Sequence, residues 1–148
     1  MSRQQNTRHS GQSRRLVTIG HLPAIIVAEE ELEPLSDLAE TLLDAMPDIG
    51  HFLDSELSRA RLMPSRSMPR GVVGVGSTVE FEWGPEQRTE TLKLVYPSEH
   101  KNDGSSVSIA SPVGVALLGL RAGQTIAWTG RYGEKVSLCV TRVISVHD

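Results

Sequence analysis

The chain has 148 residues, of which 39% are hydrophobic and 22% charged, with a formal net charge of −3. That length supports one compact domain with an appendage or two very small units, and the charge excludes a nucleic-acid-binding signature for the chain as a whole. A single cysteine, Cys139, excludes an intramolecular disulfide, and the five histidines show no metal-ligand spacing, so no metal or other cofactor is expected.

Residues 1–21 are rich in Ser, Gln, Arg and Gly, and Arg3, Arg8, Arg14 and Arg15 stand there without an acidic neighbour. They read as a disordered basic tail, more simply a solvated leader than a phosphate-binding arm. The tail lacks the apolar stretch of a signal peptide, and no segment approaches the ~20 apolar residues of a membrane span. A cytoplasmic protein without membrane contact is the expectation.

Leu22 to Val27 is a short β-branched run, read as a strand or extended lead-in. The period then changes. Leu35, Leu38, Ala39, Leu42, Leu43 and Met46 fall on helical spacing, with Pro34 suited to a first turn and Glu29, Glu30, Glu31 and Glu33 crowding the positive end of the dipole. Pro47 interrupts the pattern, and Asp48-Ile49-Gly50 supplies turn chemistry. A second stripe follows in Ile49, Phe52, Leu53, Leu57 and Ala60, stopped by Met63-Pro64. Two such stripes predict an antiparallel helical hairpin over residues 33–63, with Leu35, Leu38 and Leu42 facing Phe52, Leu53, Leu57 and Ala60.

Residues 65–71 read as a linker, and from 72 to 148 the signals are those of an antiparallel β domain. Val72, Val73 and Val75 open it. Thr78 to Trp83 alternates, Thr89 to Tyr96 puts Leu92, Leu94 and Tyr96 on one face, and Asn102-Asp103-Gly104 suits a hairpin turn before Val107-Ser108-Ile109. Thr125 to Trp128 and Val136 to Ile144 complete about five strands, with Cys139 read as a small core residue. Between them Ser111 can cap a helix, Pro112 suits its first turn and Gly119 the position past its end. Val113, Ala116, Leu117 and Leu120 would then bury against the sheet. The fold class is α+β.

The run from Ser111-Pro112-Val113-Gly114 to Leu120-Arg121-Ala122-Gly123 resembles the C-terminal signature of Gre-type transcript-cleavage factors. From Leu22 to Val146 the chain is similar to the shorter relatives of that family, the regulators of nucleoside diphosphate kinase. The resemblance also rests on Ile25-Ile26-Val27, Glu56-Leu57-Ser58-Arg59-Ala60, Met68-Pro69 and Leu94-Val95-Tyr96-Pro97. It implies a helical coiled coil at residues 22–64 and, at 72–148, a domain of the fold used by FK506-binding prolyl isomerases. It further implies RNA polymerase as partner, with docking beside the secondary channel and acidic residues at the coiled-coil tip assisting the polymerase's metal chemistry.

On that resemblance the docking residues are Ser111, Pro112, Ala110 and Gly114, and the tip residues are Asp44 and Asp48. Ala110 departs from the acidic residue usual at its position, which implies weaker or altered docking. Arms of about 15 residues reach roughly 20–23 Å at 1.5 Å per residue, about half the length of a full Gre-type coiled coil. The expectation is therefore a monomeric, non-enzymatic transcription regulator. It would compete with Gre-type factors on polymerase, meet DNA only through that complex, take no small-molecule substrate, and affect nucleoside diphosphate kinase levels indirectly. Transcript cleavage is the alternative, and prolyl isomerase activity, suggested by fold alone, a weaker one.

Overall fold

The computed structural model describes residues 17–18, 22–130 and 132–144. The disordered tail expected at 1–21 lies outside the described residues except for Val17–Thr18 (β1), which form a short strand. Next come strand β2 (Ile26–Ala28), helices α1 (Glu29–Ala45) and α2 (Pro47–Arg59), and strand β3 (Arg61–Met63). The β region contains β4 (Thr78–Trp83), β5 (Arg88–Val95), β6 (Ser106–Ser108), helix α3 (Pro112–Leu117), β7 (Thr125–Thr129) and β8 (Lys135–Ile144).

Helix α1 begins at Glu29, several residues before the expected start, so Glu29, Glu30 and Glu31 occupy its first turn. Pro34 consequently sits inside the helix, where its missing N–H leaves the Glu30 carbonyl without its helical partner. Met46 alone joins the two helices. Pro47 therefore starts α2 rather than a loop, and Asp48-Ile49-Gly50 is helix, not turn. Gly50 is required by packing: a Cβ there would lie 2.5 Å from the Leu43 nitrogen and 2.8 Å from the Leu42 carbonyl carbon. The last turn of α1 and the first of α2 are in backbone contact.

Helix α2 stops at Arg59, and residues 61–63 form a strand where helix was expected. Strands β2 and β3 pair in parallel, Ile26 beside Arg61 and Ala28 beside Met63, which returns the chain to the point where it entered α1. The pairing continues into the β region through Ile26 N–H to the Gly119 carbonyl (3.2 Å) and Gly119 N–H to the Val73 carbonyl (2.9 Å).

The main sheet runs β1-β7-β8-β4-β5-β6 and is mixed rather than antiparallel, because β6 pairs with β5 in parallel. Residues 97–105 turn the chain twice, so Asn102-Asp103-Gly104 closes a loop instead of a hairpin; the Asp103 carboxylate accepts from the Ser105 N–H at 3.0 Å. Val72 and Val73 are buried but make no strand beyond a single bridge from Val72 to Arg121. A register shift between Glu80 and Phe81 leaves Thr141 as an extra residue in β8 and bends the sheet. Cys139 is half-buried, on the face opposite fully buried Leu138 and Val140; the alternation that buries its neighbours turns it outward.

Leu35, Leu42, Phe52 and Leu53 of the helices share one contiguous core with Phe81, Leu94, Trp128 and Leu138 of the sheet. The Phe52 and Trp128 rings lie 5.9 Å apart and tilted by 41°. Helices and sheet are thus one packed body. Leu38, Leu43 and Ala60 are half-buried at its margin and Met46 is exposed, while Leu35, Ala39, Leu42, Ile49, Phe52, Leu53 and Leu57 of the predicted stripes are buried.

Candidate functional site

Helix α3 follows the expected local signals. Ser111 is extended (φ −141°, ψ 156°), and its hydroxyl accepts from the Gly114 N–H at 3.1 Å while donating to the Ser108 carbonyl at 2.7 Å. The Val115 N–H reaches the Ser111 carbonyl at 2.9 Å, and the Ala110 N–H reaches the Ser108 hydroxyl at 2.9 Å. Pro112 fills the first helical position, where no N–H is needed, and Gly119 adopts φ 81° past the end. The turn is rigid because two serine hydroxyls satisfy its backbone from both sides.

Ala110, Ser111, Pro112 and Val113 are half-buried and present part of each side chain outward. Gly114 is enclosed, with the Ser108 carbonyl against the position a Cβ would take. Four expected site residues therefore meet in one turn, three at its surface and one behind it. From Gly114 to Leu120 every residue is buried, so α3 is covered all round rather than on one stripe.

Asp44 and Asp48 fall on either side of Met46, Asp44 exposed in the last turn of α1 and Asp48 half-buried in the first turn of α2. Among the described residues no group of three His, Cys, Asp or Glu side chains could hold a metal ion. No helix among them is long and apolar enough to cross a membrane.

Two features were not anticipated. The first is a cavity of about 650 Å³ where the helix-joining residues Met46 and Ile49 face Ser111, Pro112, Trp83 and Trp128. Phe81 and Trp83 of the alternating strand β4 line this cavity, together with Trp128 and Tyr132. The signal lay in the aromatics themselves, which are few and fall mostly in the β region.

The second is an ion pair whose carboxylate is buried and whose guanidinium side chain is 24% exposed. Glu56 has no exposed surface, and its carboxylate accepts from the Arg59 Nε at 3.0 Å and Nη2 at 2.9 Å. The third guanidinium nitrogen donates to the Pro23 carbonyl at 2.6 Å, tying α2 to the lead-in of β2. Across the base of the helices, burial pushes the Glu31 carboxyl above its usual range, a backbone hydrogen bond from Val75 acts against that rise, and the charge of Glu30 adds to it.

Residues 68–145 match the family model described as "Transcription elongation factor, GreA/GreB, C-term". The chain is 35% identical to the regulator of nucleoside diphosphate kinase of Escherichia coli (strain K12) over 106 residues, 72% of this chain and 78% of that protein. It is 26% identical to a transcription inhibitor protein of Thermus aquaticus, covering 90% of this chain and 96% of the relative. Among solved structures, a prokaryotic transcription elongation factor GreA/GreB from Nitrosomonas europaea superposes with a TM-score of 0.65 at 34% identity, covering 83% of this chain and 99% of that one. The helices followed by a curled mixed sheet are thus a GreA-like fold, and the chain belongs to the GreA/GreB family of transcription elongation factors, with the regulator of nucleoside diphosphate kinase among its relatives.

Proposed function

We propose that the protein is a non-enzymatic transcription regulator that binds RNA polymerase near its secondary channel and competes there with Gre-type elongation factors. The contact is the Ala110-Ser111-Pro112 turn, with Gly114 behind it. The single observation that carries the reading is this turn: rigid, partly exposed, and inside the segment matched by the GreA/GreB C-terminal model. The inhibitor among the relatives supports an antagonistic role. An effect on nucleoside diphosphate kinase levels then follows indirectly from competition. The protein acts in the cytoplasm as a monomer, with nucleic acid met only through the polymerase.

In this reading residues 22–64 are an antiparallel hairpin, a short version of the Gre-type coiled coil. Residues 65–71 are the linker, and 72–148 a β domain of the FK506-binding-protein kind. The hairpin is not free to project. Met46 and Ile49 at its tip line the same cavity as Ser111 and Pro112, and its arms share the core of the sheet. Inserting the tip into a channel would separate buried apolar surfaces, so the regulator works by occupying a docking site.

Pro112→Ala tests the contact, because it keeps the Ser111 cap and the helix. The variant should melt within a few degrees of the parent yet bind core RNA polymerase at least fivefold more weakly in a titration. Equal affinity would place the contact elsewhere.

The transcript-cleavage reading depends on Asp44 and Asp48. The double variant Asp44→Ala, Asp48→Ala should leave polymerase affinity within about threefold, since surface charges contribute little singly. The parent protein should give no cleavage in stalled elongation complexes. Cleavage by the parent that disappears in the double variant would establish the alternative. The prolyl isomerase reading gains one observation, the aromatic-lined cavity, but a concavity on an analogous fold does not by itself specify an activity.

A further inference from the structure

The cavity between the hairpin tip and the sheet has walls of Phe81, Trp83, Leu92, Trp128 and Val136. On its rim Met46 is 38% exposed and Tyr132 86% exposed, two large apolar groups open to solvent. Among the described lining residues the charged ones are Glu90 and Glu134, both acidic. Glu90 accepts from the Trp83 indole at 3.1 Å and lies 4.0 Å from Arg88. The Glu134 carboxylate lies over Gly130, filling the place a Cβ would take there. Apolar walls with two acids at the mouth suit an apolar side chain flanked by cations.

Strand β1 leads to this mouth. Val17 pairs with Thr129 and Thr18 with Trp128 in antiparallel register. Thr129 precedes Gly130, itself a lining residue, so β1 brings the chain to the rim of the cavity at Val17. Immediately before Val17 the sequence reads Arg14-Arg15-Leu16, in a stretch of the chain with no Asp or Glu.

We propose that the cavity is a binding site for an apolar side chain flanked by arginine, and that its occupant is the chain's own segment 10–16. Leu16 enters between the aromatic walls, and the positive charge of Arg14 and Arg15 complements the two acids at the mouth, Glu90 and Glu134. Ser111 and Pro112 line the same cavity, so the bound segment covers the docking turn. That last consequence rests on the polymerase reading; the occupancy does not.

Trp83 and Trp128 are the only tryptophans of the chain, and both line the cavity, so indole fluorescence reports it directly. The test compares the full chain with the full-length triple variant Arg14→Glu, Arg15→Glu, Leu16→Ser. Acrylamide should quench the variant at least twofold more strongly. A synthetic peptide of residues 1–18 added to the variant should restore the parent value with a saturable curve. Glu90→Gln with Glu134→Gln, built into the same variant, should weaken the peptide about fivefold, an effect lost in high salt. Equal quenching of parent and variant, or no saturable response to millimolar peptide, would overturn the proposal. A parent dimer that the triple variant loses in sedimentation would place the segment in a second copy and overturn the intramolecular assignment. None of these readings requires polymerase, so failure here leaves the docking reading standing, and failed docking leaves this one.

Discussion

Gly114→Ala is expected to destabilise the protein by about 3 kcal/mol, although alanine is the better helix former by about 1 kcal/mol. The glycine lies in α3 with the Ser108 carbonyl against its Cα, and the Ile109 Cα would lie 3.0 Å from an added Cβ. Neither neighbour can yield cheaply. Ile109 is fully buried and its N–H is held by the Val95 carbonyl at 2.8 Å, while the Ser108 carbonyl accepts from the Ser111 hydroxyl. Accommodating one methyl group therefore means moving α3 away from β6 and breaking the Ser111 cap. At about 2–4 °C per kcal/mol for a chain of this size, Tm should fall by roughly 6–12 °C. A Tm equal to or above the parent's, the outcome helix propensity alone predicts, would show that the contact relaxes without cost.

The second large effect is expected at Arg59. Arg59→Ala leaves the Glu56 carboxylate without its cation in a place with no solvent exposure, and leaves the Pro23 carbonyl without its donor. Removing one partner of a fully buried pair costs about 3–5 kcal/mol, and because the Arg59 side chain is 24% exposed the lower figure applies, about 3 kcal/mol, so Tm should drop by roughly 6–12 °C. Arg59→Lys should recover only part of this, because a single ammonium cannot make the two-pronged contact with the carboxylate and reach Pro23 as well. The double variant Glu56→Gln, Arg59→Met should be more stable than Arg59→Ala, since no unpaired charge then remains. Thermal melts of the three variants check the order. An Arg59→Ala variant within about 1 kcal/mol of the parent would mean that water reaches Glu56.

These two residues also show which parts of the fold were legible in the sequence. Helix α3 was readable because each signal is local: the Ser111 hydroxyl, the Pro112 ring and the left-handed Gly119 each act within a few residues. Strands β4, β7 and β8 were readable from alternation. Strand β3 was not, because three residues with Arg61 and Leu62 exposed carry no period; it exists because Ile25 and Ile26 lie beside it. The parallel β6 depends on two turns in residues 97–105 whose combined direction no single turn signal encodes. At Gly50 and Gly114 a missing side chain can mean a turn or a close approach, and only the packed backbone decides.

The Ala110-Ser111-Pro112 turn was legible as a helix start for the same local reasons, and the cavity beside it was not. Phe81, Trp83 and Trp128 appear in the sequence as inward-facing strand residues, which they are. Their second role arises because Met46 and Ile49 come down over the sheet instead of standing away from it. Glu56 and Arg59, spaced i to i+3 on one helix, have the spacing of pairs that are usually solvent-exposed. The Pro23 carbonyl, 36 residues away, turns them into an interior anchor.

The central claim is that the protein occupies the Gre-type docking site on RNA polymerase without chemistry of its own. The most direct measurement titrates fluorescently labelled protein with core RNA polymerase and then adds an unlabelled Gre-type factor. The account predicts saturable binding that the Gre-type factor reverses completely, with a competition curve set by the two affinities. Absence of saturable binding, or a complex in which both proteins sit on the polymerase together, would contradict it.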